Sequence, residues 1–466
     1  MSAPSSDFLD TLSEIVGSER VLTGADAFEQ YGRDWTRAYP PAPGAIVLPG
    51  TIAEVQAVVK ACAAKGCAIV PSGGRTGLSG GAVAGNGEIV IALDRLNSLA
   101  DFNPIDRTVR CGAGVITEQL QTFAADNGLY YPVDFASAGS SQIGGNISTN
   151  AGGIKVIRYG MTRDWVLGLK VVTGTGEVLE LNNGLLKNNT GYDLRHLVIG
   201  AEGTLGIVVE ATMALAPMPL AQSVLVLGVP DMGALMPVLG AFQSKVQLSA
   251  FEFFSELALT KVVEHQGLSR PFPDATPYYA LIEFESASES AIDEAMAVFE
   301  HCVEQGWVLD GVISQSETQA ANLWRLREDI SETISRWTPY KNDISTVVSK
   351  VPQFLADVEA VIDANYPDLE VVWFGHIGDG NLHLNILKPD ALSQAEFQQR
   401  CAKVSRWVFE AVQKHGGSVS AEHGVGLLKK DFLTYTRSES EIAIMRHIKQ
   451  AFDPAGIMNP GKVFNP

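Results

Sequence analysis

Apolar residues in the first half of the chain come in short runs cut by glycine and proline. "GAIVLPG" (44–50), "CAIVPSGG" (67–74), "EIVIALDRL" (88–96), "TVRCGAGV" (108–115) and "LGLKVVTGTGEVLEL" (167–181) have the length and punctuation of short buried strands. Between the first two, "TIAEVQAVVKACAAKG" (51–66) has helical periodicity, with Thr51 as N-cap and Gly66 as stop. Prolines close this region at "ALAPMPLAQS" (214–223). Beyond it the pattern lengthens. "SVLVLGV", "PYYALIEFE", "LEVVWFGHIG" and "NLHLNIL" read as strands, and "ASESAIDEAMAVFEHCVEQG" and "QAEFQQRCAKVSRWVFEAVQKHGG" as helices. The pattern predicts an α+β protein with a first domain over 1–217 and a second over 218–450, the latter built on an antiparallel sheet. The turn-rich 451–466 is left as a C-terminal segment. There is no internal repeat and no low-complexity linker.

Composition narrows the function classes. A chain of 466 residues exceeds one ordinary core. Lys plus Arg number 34 against 53 Asp plus Glu, a net charge of −19, so nucleic acid and anionic membranes are poor partners. An anionic substrate needs a local basic pocket. No CxxC pair occurs among the five cysteines, which fits a reducing compartment. The first basic residue is Arg20, the N-terminal stretch lacks a signal-peptide pattern, and no apolar run reaches the roughly 18 residues of a membrane span. The expectation is a cytoplasmic protein without a membrane span.

Candidate chemistry begins with glycine. "PSGGRTGLSGGA" (71–82) holds five glycines in twelve residues directly after a predicted strand. Glycine lets backbone N–H groups turn inward and approach a phosphate. "SAGSSQIGGNISTNAGG" (137–153) and "GAEGTLGIV" (200–208) repeat the theme, so a long phosphorylated cofactor is favoured over three chance loops. No G-x-G-x-x-G occurs, and "GIMNPGKV" (456–463) fails as a P-loop because Val463 stands where Ser or Thr is required.

These segments, in this order, resemble the FAD-binding segments of the vanillyl-alcohol oxidase superfamily. The resemblance implies a two-subdomain FAD-binding domain. The first loop would wrap the pyrophosphate with Pro71, Ser72, Gly73, Gly74, Arg75, Thr76, Gly77 and Leu78. Flavin and adenosine contacts would come from Ser137, Gly139, Gly144, Gly145, Asn146, Ser148, Asn150, Gly152 and Gly153, and from Glu202, Gly206 and Ile207. Asn459 in the closing "MNPGK" would return to the FAD site. The first histidine, His196, lies beyond the first two loops, so non-covalent FAD is expected.

"FGHIGDGNLH" (374–383) places two of the eight histidines around a turn. A two-residue type I′ turn at Asp379-Gly380 would set His376 directly opposite His383, close enough to share one ion. Period-two alternation adds Phe374 and Asn385 to the same face. "SVSAEHGVG" (418–426) offers Glu422 as a third ligand and His423 beside it, against the simpler reading of an ordinary hairpin pair. Adjacent residues on a strand point oppositely, so Glu422 and His423 must lie in a turn or loop to serve one site.

"GHIGDGNLHLN", "SAEHGVG" and "MNPGK" resemble the C-terminal (cap) domain of FAD-linked D-2-hydroxy-acid dehydrogenases. That resemblance implies His376, His383 and Glu422 as ligands of a divalent metal, zinc in most members, with His423 as catalytic base and Asn385 contacting substrate. It further implies hydride transfer from the substrate's C2 to flavin N5. In "LWRLREDISETISRW" Arg327 and Ser331 fall at i and i+4 of a predicted helix, with Lys341 following in "PYKNDIS". These could hold a second carboxylate or be idle surface charges. They match an Arg, Thr and Lys set of the D-2-hydroxyglutarate dehydrogenases, with Ser331 in place of threonine, which favours D-2-hydroxyglutarate over D-lactate, glycolate or D-malate. Electron-transfer flavoprotein or a quinone-linked acceptor is implied, since no Fe–S or haem spacing is present. A homodimer is the base expectation. The rivals are a metallohydrolase, which would carry no flavin, and a flavin-binding subunit that its substrate cannot reduce.

Overall fold

The computed structural model describes residues 4–465. By internal contacts the chain divides into two units, one of residues 1–152, 160–218 and 422–466, the other of 153–159 and 219–421. Residues 422–450, expected with the second domain, thus group with the first unit.

Among the described residues the first unit carries a four-stranded sheet, a five-stranded sheet and a two-stranded pairing of Leu129–Tyr130 with Ala216–Pro217. In the four-stranded sheet, Ala45–Val47, Ile89–Ala92 and Ile69–Ser72 run parallel, and Val21–Leu22 adds antiparallel at the edge. Their near-continuous apolar runs reflect burial on both faces. Helix Ile52–Lys65 covers this sheet. Thr51 caps it by accepting from Glu54 N at 3.1 Å, Gly66 stops it at φ +63°, and Val55, Val58, Val59 and Cys62 form the buried stripe. A five-stranded antiparallel sheet runs in the order Leu99–Asn103, Thr108–Gly112, Ile207–Ala214, Val166–Val172, Val178–Leu181. Val172, Ile207 and Val209 join Val47, Val59 and Ile91 in one core. The C-terminal segment lies along the first sheet: Ile69 N donates to Ile457 O at 2.7 Å and Asn459 N to Ile69 O at 2.8 Å.

The second unit is built on a seven-stranded antiparallel sheet. Its order is Asp310–Ile313, Gln222–Val229, Tyr278–Glu285, Leu248–Ser255, Val371–Gly375, Asn381–Ile386, Tyr340–Ser345. Helices Glu256–Gln266, Glu317–Glu328 and Ile330–Ile334 pack on one face through Leu259, Val262, Leu323, Leu326, Ile330 and Ile334 against Phe254, Val372 and Phe374.

Two local expectations change. The 323–337 stretch is not one helix. It breaks at Asp329, whose ψ relaxes to −5° and whose carboxylate pairs with Arg325 at 2.9 Å. The hairpin at 374–383 is also wider than a two-residue turn requires. Phe374, not His376, faces His383, and a 3₁₀ turn over Ile377–Asp379 precedes Gly380 at φ +86°. The cause is the Asp379 side chain, which accepts from Asn381 N at 3.1 Å and so builds an Asx-turn in place of type I′.

Candidate active site

Strand pairing assembles the second unit's polar cluster. Phe374 faces His383, which in turn faces Asp343; Val372 faces Asn385, which faces Lys341. Residues directly opposed across strands share a face, as do residues two apart. Phe254 opposes Phe374, so Glu252 lies on that face too. The result is a line of polar side chains under the covering helices.

The histidines converge despite the wider turn. The His376 and His383 rings lie 5.3 Å apart, and Phe374 sits 5.0 Å from His383. His376 Nδ1 lies 2.8 Å from Glu252 Oε1, and His383 Nδ1 lies 3.7 Å from Asp343 Oδ1. Asp343 is held by Asn381 Nδ2 at 2.8 Å. The Ala421 amide donates to Asp343 O at 3.3 Å, which brings the chain to Glu422 beside the strand that pairs with His383. One ligand atom from each of His376, His383 and Glu422 lies within 4.8 Å of the others. Two imidazoles and a carboxylate are a donor set suited to a divalent transition metal with open positions.

Four further predicted residues gather on the same sheet. Arg327, 5% exposed, comes down from helix Glu317–Glu328, with its guanidinium 4.8 Å above the Phe374 ring and Nη2 2.8 Å from Glu252 Oε2. Ser331 reaches Lys341 across the helix break, Nζ to Oγ 3.2 Å. Burial pushes the Lys341 ammonium below its ordinary value. Asn385 is 1% exposed, and its Nδ2 has no hydrogen-bond partner among the described residues. A buried cluster with two cations and an unsatisfied amide is suited to an anion carrying hydrogen-bond acceptors.

The glycine segments meet within the first unit. A Cβ on Gly74 would lie 2.8 Å from Ser141 Cα, so only glycine lets the 71–82 loop lie against the 137–153 loop. No atom lies within 4 Å of a Cβ built on Gly145, so the backbone there faces open space, a cradle suited to a close-lying cofactor. Arg75, at φ +62°, turns its guanidinium to Asp94 (2.8 and 3.1 Å) and over the Tyr31 ring. Asn146 donates to Thr117 Oγ1 at 2.7 Å, and Asn150 accepts from Arg163 N at 3.0 Å. Asn459 donates to Gly81 O (2.9 Å) and Glu202 O (2.7 Å), while its buried Oδ1 has no partner among the described residues.

Glu422 and His423 lie in a bend outside any strand, as two roles in one site require, with Glu422 Oε1 3.3 Å from His423 Nε2. Ser79 Oγ donates to His423 O at 2.8 Å, and Leu427 N donates to Ser79 O at 2.9 Å. Buried Glu202, at φ +52°, accepts from Val425 N (2.7 Å) and Gly426 N (2.8 Å). Burial raises its carboxyl to about 7 against the pull of those two amides. Its side chain therefore holds the His423 bend. Glu252 and Asp343 were not anticipated from sequence. The available signal was a lone acid inside an otherwise apolar strand, "LSAFEFFS" for Glu252.

Residues 218–463 match the family described as FAD linked oxidases, C-terminal domain, and residues 43–182 match an FAD binding domain. The sequence is 62% identical over 456 residues to a D-2-hydroxyglutarate dehydrogenase of Stutzerimonas stutzeri (strain A1501), covering 98% of each chain. It is 57% identical to another protein of that name, from Xanthomonas citri pv. viticola, covering 97% of this chain and 96% of the relative. Among solved structures it resembles p-cresol methylhydroxylase with a TM-score of 0.77 at 16% identity, over 98% of this chain and 96% of that one. The fold is of the vanillyl-alcohol oxidase type.

Proposed function

Since this chain belongs to the FAD-linked oxidase family, we propose that it oxidises D-2-hydroxyglutarate to 2-oxoglutarate. The observation that carries the substrate is the 62% identity, over 98% of both chains, to a relative of that name. Two buried or half-buried cations beside an unsatisfied amide on one sheet face support it, because a dicarboxylate brings one carboxylate more than lactate does.

In this reading Arg327 and Lys341, with Ser331, bind the distal carboxylate, and Asn385 orients the C1–C2 end. His376, His383 and Glu422 would hold a divalent ion, zinc for choice, which supplies Lewis acidity for the C2 hydroxyl. His423 Nε2 takes the hydroxyl proton as general base. FAD, held non-covalently by the glycine loops, supplies the acceptor for the hydride that leaves C2. Cysteine usage and the acidic charge fit a cytoplasmic enzyme that passes electrons to an electron-transfer flavoprotein or a quinone-linked carrier. No helix among the described residues is long and apolar enough to cross a membrane.

The test is anaerobic titration of the flavin spectrum. D-2-hydroxyglutarate is expected to bleach the band at far lower concentration than D-lactate. Preferential bleaching by D-lactate would overturn the substrate; folded protein that takes up no flavin would overturn the chemistry.

A further inference from the structure

We propose that Glu252 is a positioning residue that couples the two halves of the substrate site: one buried carboxylate fixes His376 for metal binding and Arg327 for recognition of a second carboxylate. This rests on the function proposed above and deepens it.

The strand Leu248–Ser255 lies inside the seven-stranded sheet and is buried along its whole length. Glu252 is 1% exposed among alanine, phenylalanine and serine neighbours. A carboxylate buried there is costly to desolvate unless its oxygens find partners. Oε1 is matched by a hydrogen-bond contact, 2.8 Å from His376 Nδ1, while Oε2 has only an ion-pair contact, 2.8 Å from Arg327 Nη2 and without an aligned hydrogen bond among the described residues. A hydrogen bond from Nδ1–H to Oε1 fixes the imidazole tautomer and leaves Nε2 as the lone pair that a metal requires.

The two histidines are not held alike. His383 Nδ1 stands 3.7 Å from Asp343, beyond hydrogen-bond length, and Asp343 is also engaged by Asn381. Of these two histidine–acid distances, the one to Glu252 is at hydrogen-bond length. Arg327 is held differently again. Its Nη2 is at ion-pair distance from Glu252, yet neither Nη2 nor Nε makes an aligned hydrogen bond among the described residues. Distance and alignment disagree, and the physical reading is a guanidinium steered by charge and by the Phe374 face, with N–H groups left for a carboxylate. A purely structural ion pair would be expected to use those hydrogens on Glu252 itself.

The experiment uses the full-length, FAD-loaded protein carrying Glu252→Gln, with flavin absorbance and thermal melting as checks of folding. Zn²⁺ affinity is measured by competition with a chromophoric chelator and bound zinc by elemental analysis. KM and kcat are measured for D-2-hydroxyglutarate and D-lactate. Loss of the orienting carboxylate is expected to weaken Zn²⁺ binding about 10- to 100-fold and to raise KM for D-2-hydroxyglutarate by a larger factor than for D-lactate. Zinc affinity within twofold of the parent in a folded variant, or an unchanged ratio of the two KM values, would overturn the proposal. If the glutamine variant does not fold, Glu252→Asp carries the test on the same thresholds, because it keeps the charge beside Arg327 and withdraws by one methylene. A parent protein that binds no Zn²⁺, or is reduced by neither hydroxy acid, would instead overturn the underlying function, and the parent shows this before any variant is made.

Discussion

At the scale of single residues, the proposed role of Lys341 sets affinity against stability. Its ammonium is half-buried beside the Ser331 hydroxyl, and desolvation lowers its pKa in the folded protein. A depressed lysine pKa means that the folded state disfavours the charge the unfolded chain carries freely. The destabilisation is therefore complete below the folded pKa and fades as the pH rises through it. Lys341→Met removes the charge and keeps the length. The substrate-free variant is expected to melt higher than the parent at neutral pH, while its KM for D-2-hydroxyglutarate rises about 10- to 100-fold, the value of one charge-assisted hydrogen bond. Melting curves and steady-state kinetics on the same preparation check both signs. A variant with lower Tm and unchanged KM would make Lys341 a structural residue.

At the scale of elements, the bend that carries Glu422 and His423 depends on Glu202. Two amides of that bend, Val425 and Gly426, donate to its carboxylate. Glu202→Ala would leave both without acceptors in a buried place, at about 1–3 kcal/mol for each. Faster hydrogen exchange at Val425 and Gly426 and a lower kcat are expected. The acid also gives the fold a pH dependence. Its folded pKa is about 7 against an ordinary 4.5, so its contribution to stability is fully present below 4.5 and is lost as the pH rises through about 7. The Tm of Glu202→Gln relative to the parent is therefore expected to rise across that window, and a constant difference would show that Glu202 does not titrate there. Such an anchor is hard to read in sequence, because Glu202 and Val425 are 223 residues apart. Elements whose cause is local were legible. The Ile52–Lys65 helix follows from its cap, its stripe and its glycine stop, and the strands Val371–Gly375 and Asn381–Ile386 from their apolar runs. The hairpin register was not, since Asp379 prefers to cap Asn381 N over completing a two-residue turn. The histidines still meet, because the register moves by whole steps of two and His376 stays on the face it was expected to occupy.

At the scale of the whole molecule, the proposed flavin and metal sites make separable demands on the chain. The FAD binding domain match spans 43–182, and its glycine loops meet through Gly74 and Ser141 inside the first unit. The histidine pair and its orienting acid belong to the second unit's sheet. Chelation should then remove one activity without the other. After dialysis against a strong chelator the flavin band is expected to keep its position and amplitude, because no predicted metal ligand lies in a glycine loop. Under the proposed mechanism, bleaching by D-2-hydroxyglutarate should nevertheless fall by orders of magnitude in rate, since the C2 hydroxyl would lose the charge proposed to make its proton available to His423. Stoichiometric Zn²⁺ should restore it, and Mg²⁺, which prefers six oxygen ligands, should not. The same treatment separates two errors. Flavin lost together with the metal would mean that the ion supports the fold of both units. Full-rate bleaching in metal-free protein would mean that His376 and His383 act on the substrate directly, as hydrogen-bond donors or bases, and that the hairpin pair is the catalytic group rather than its holder.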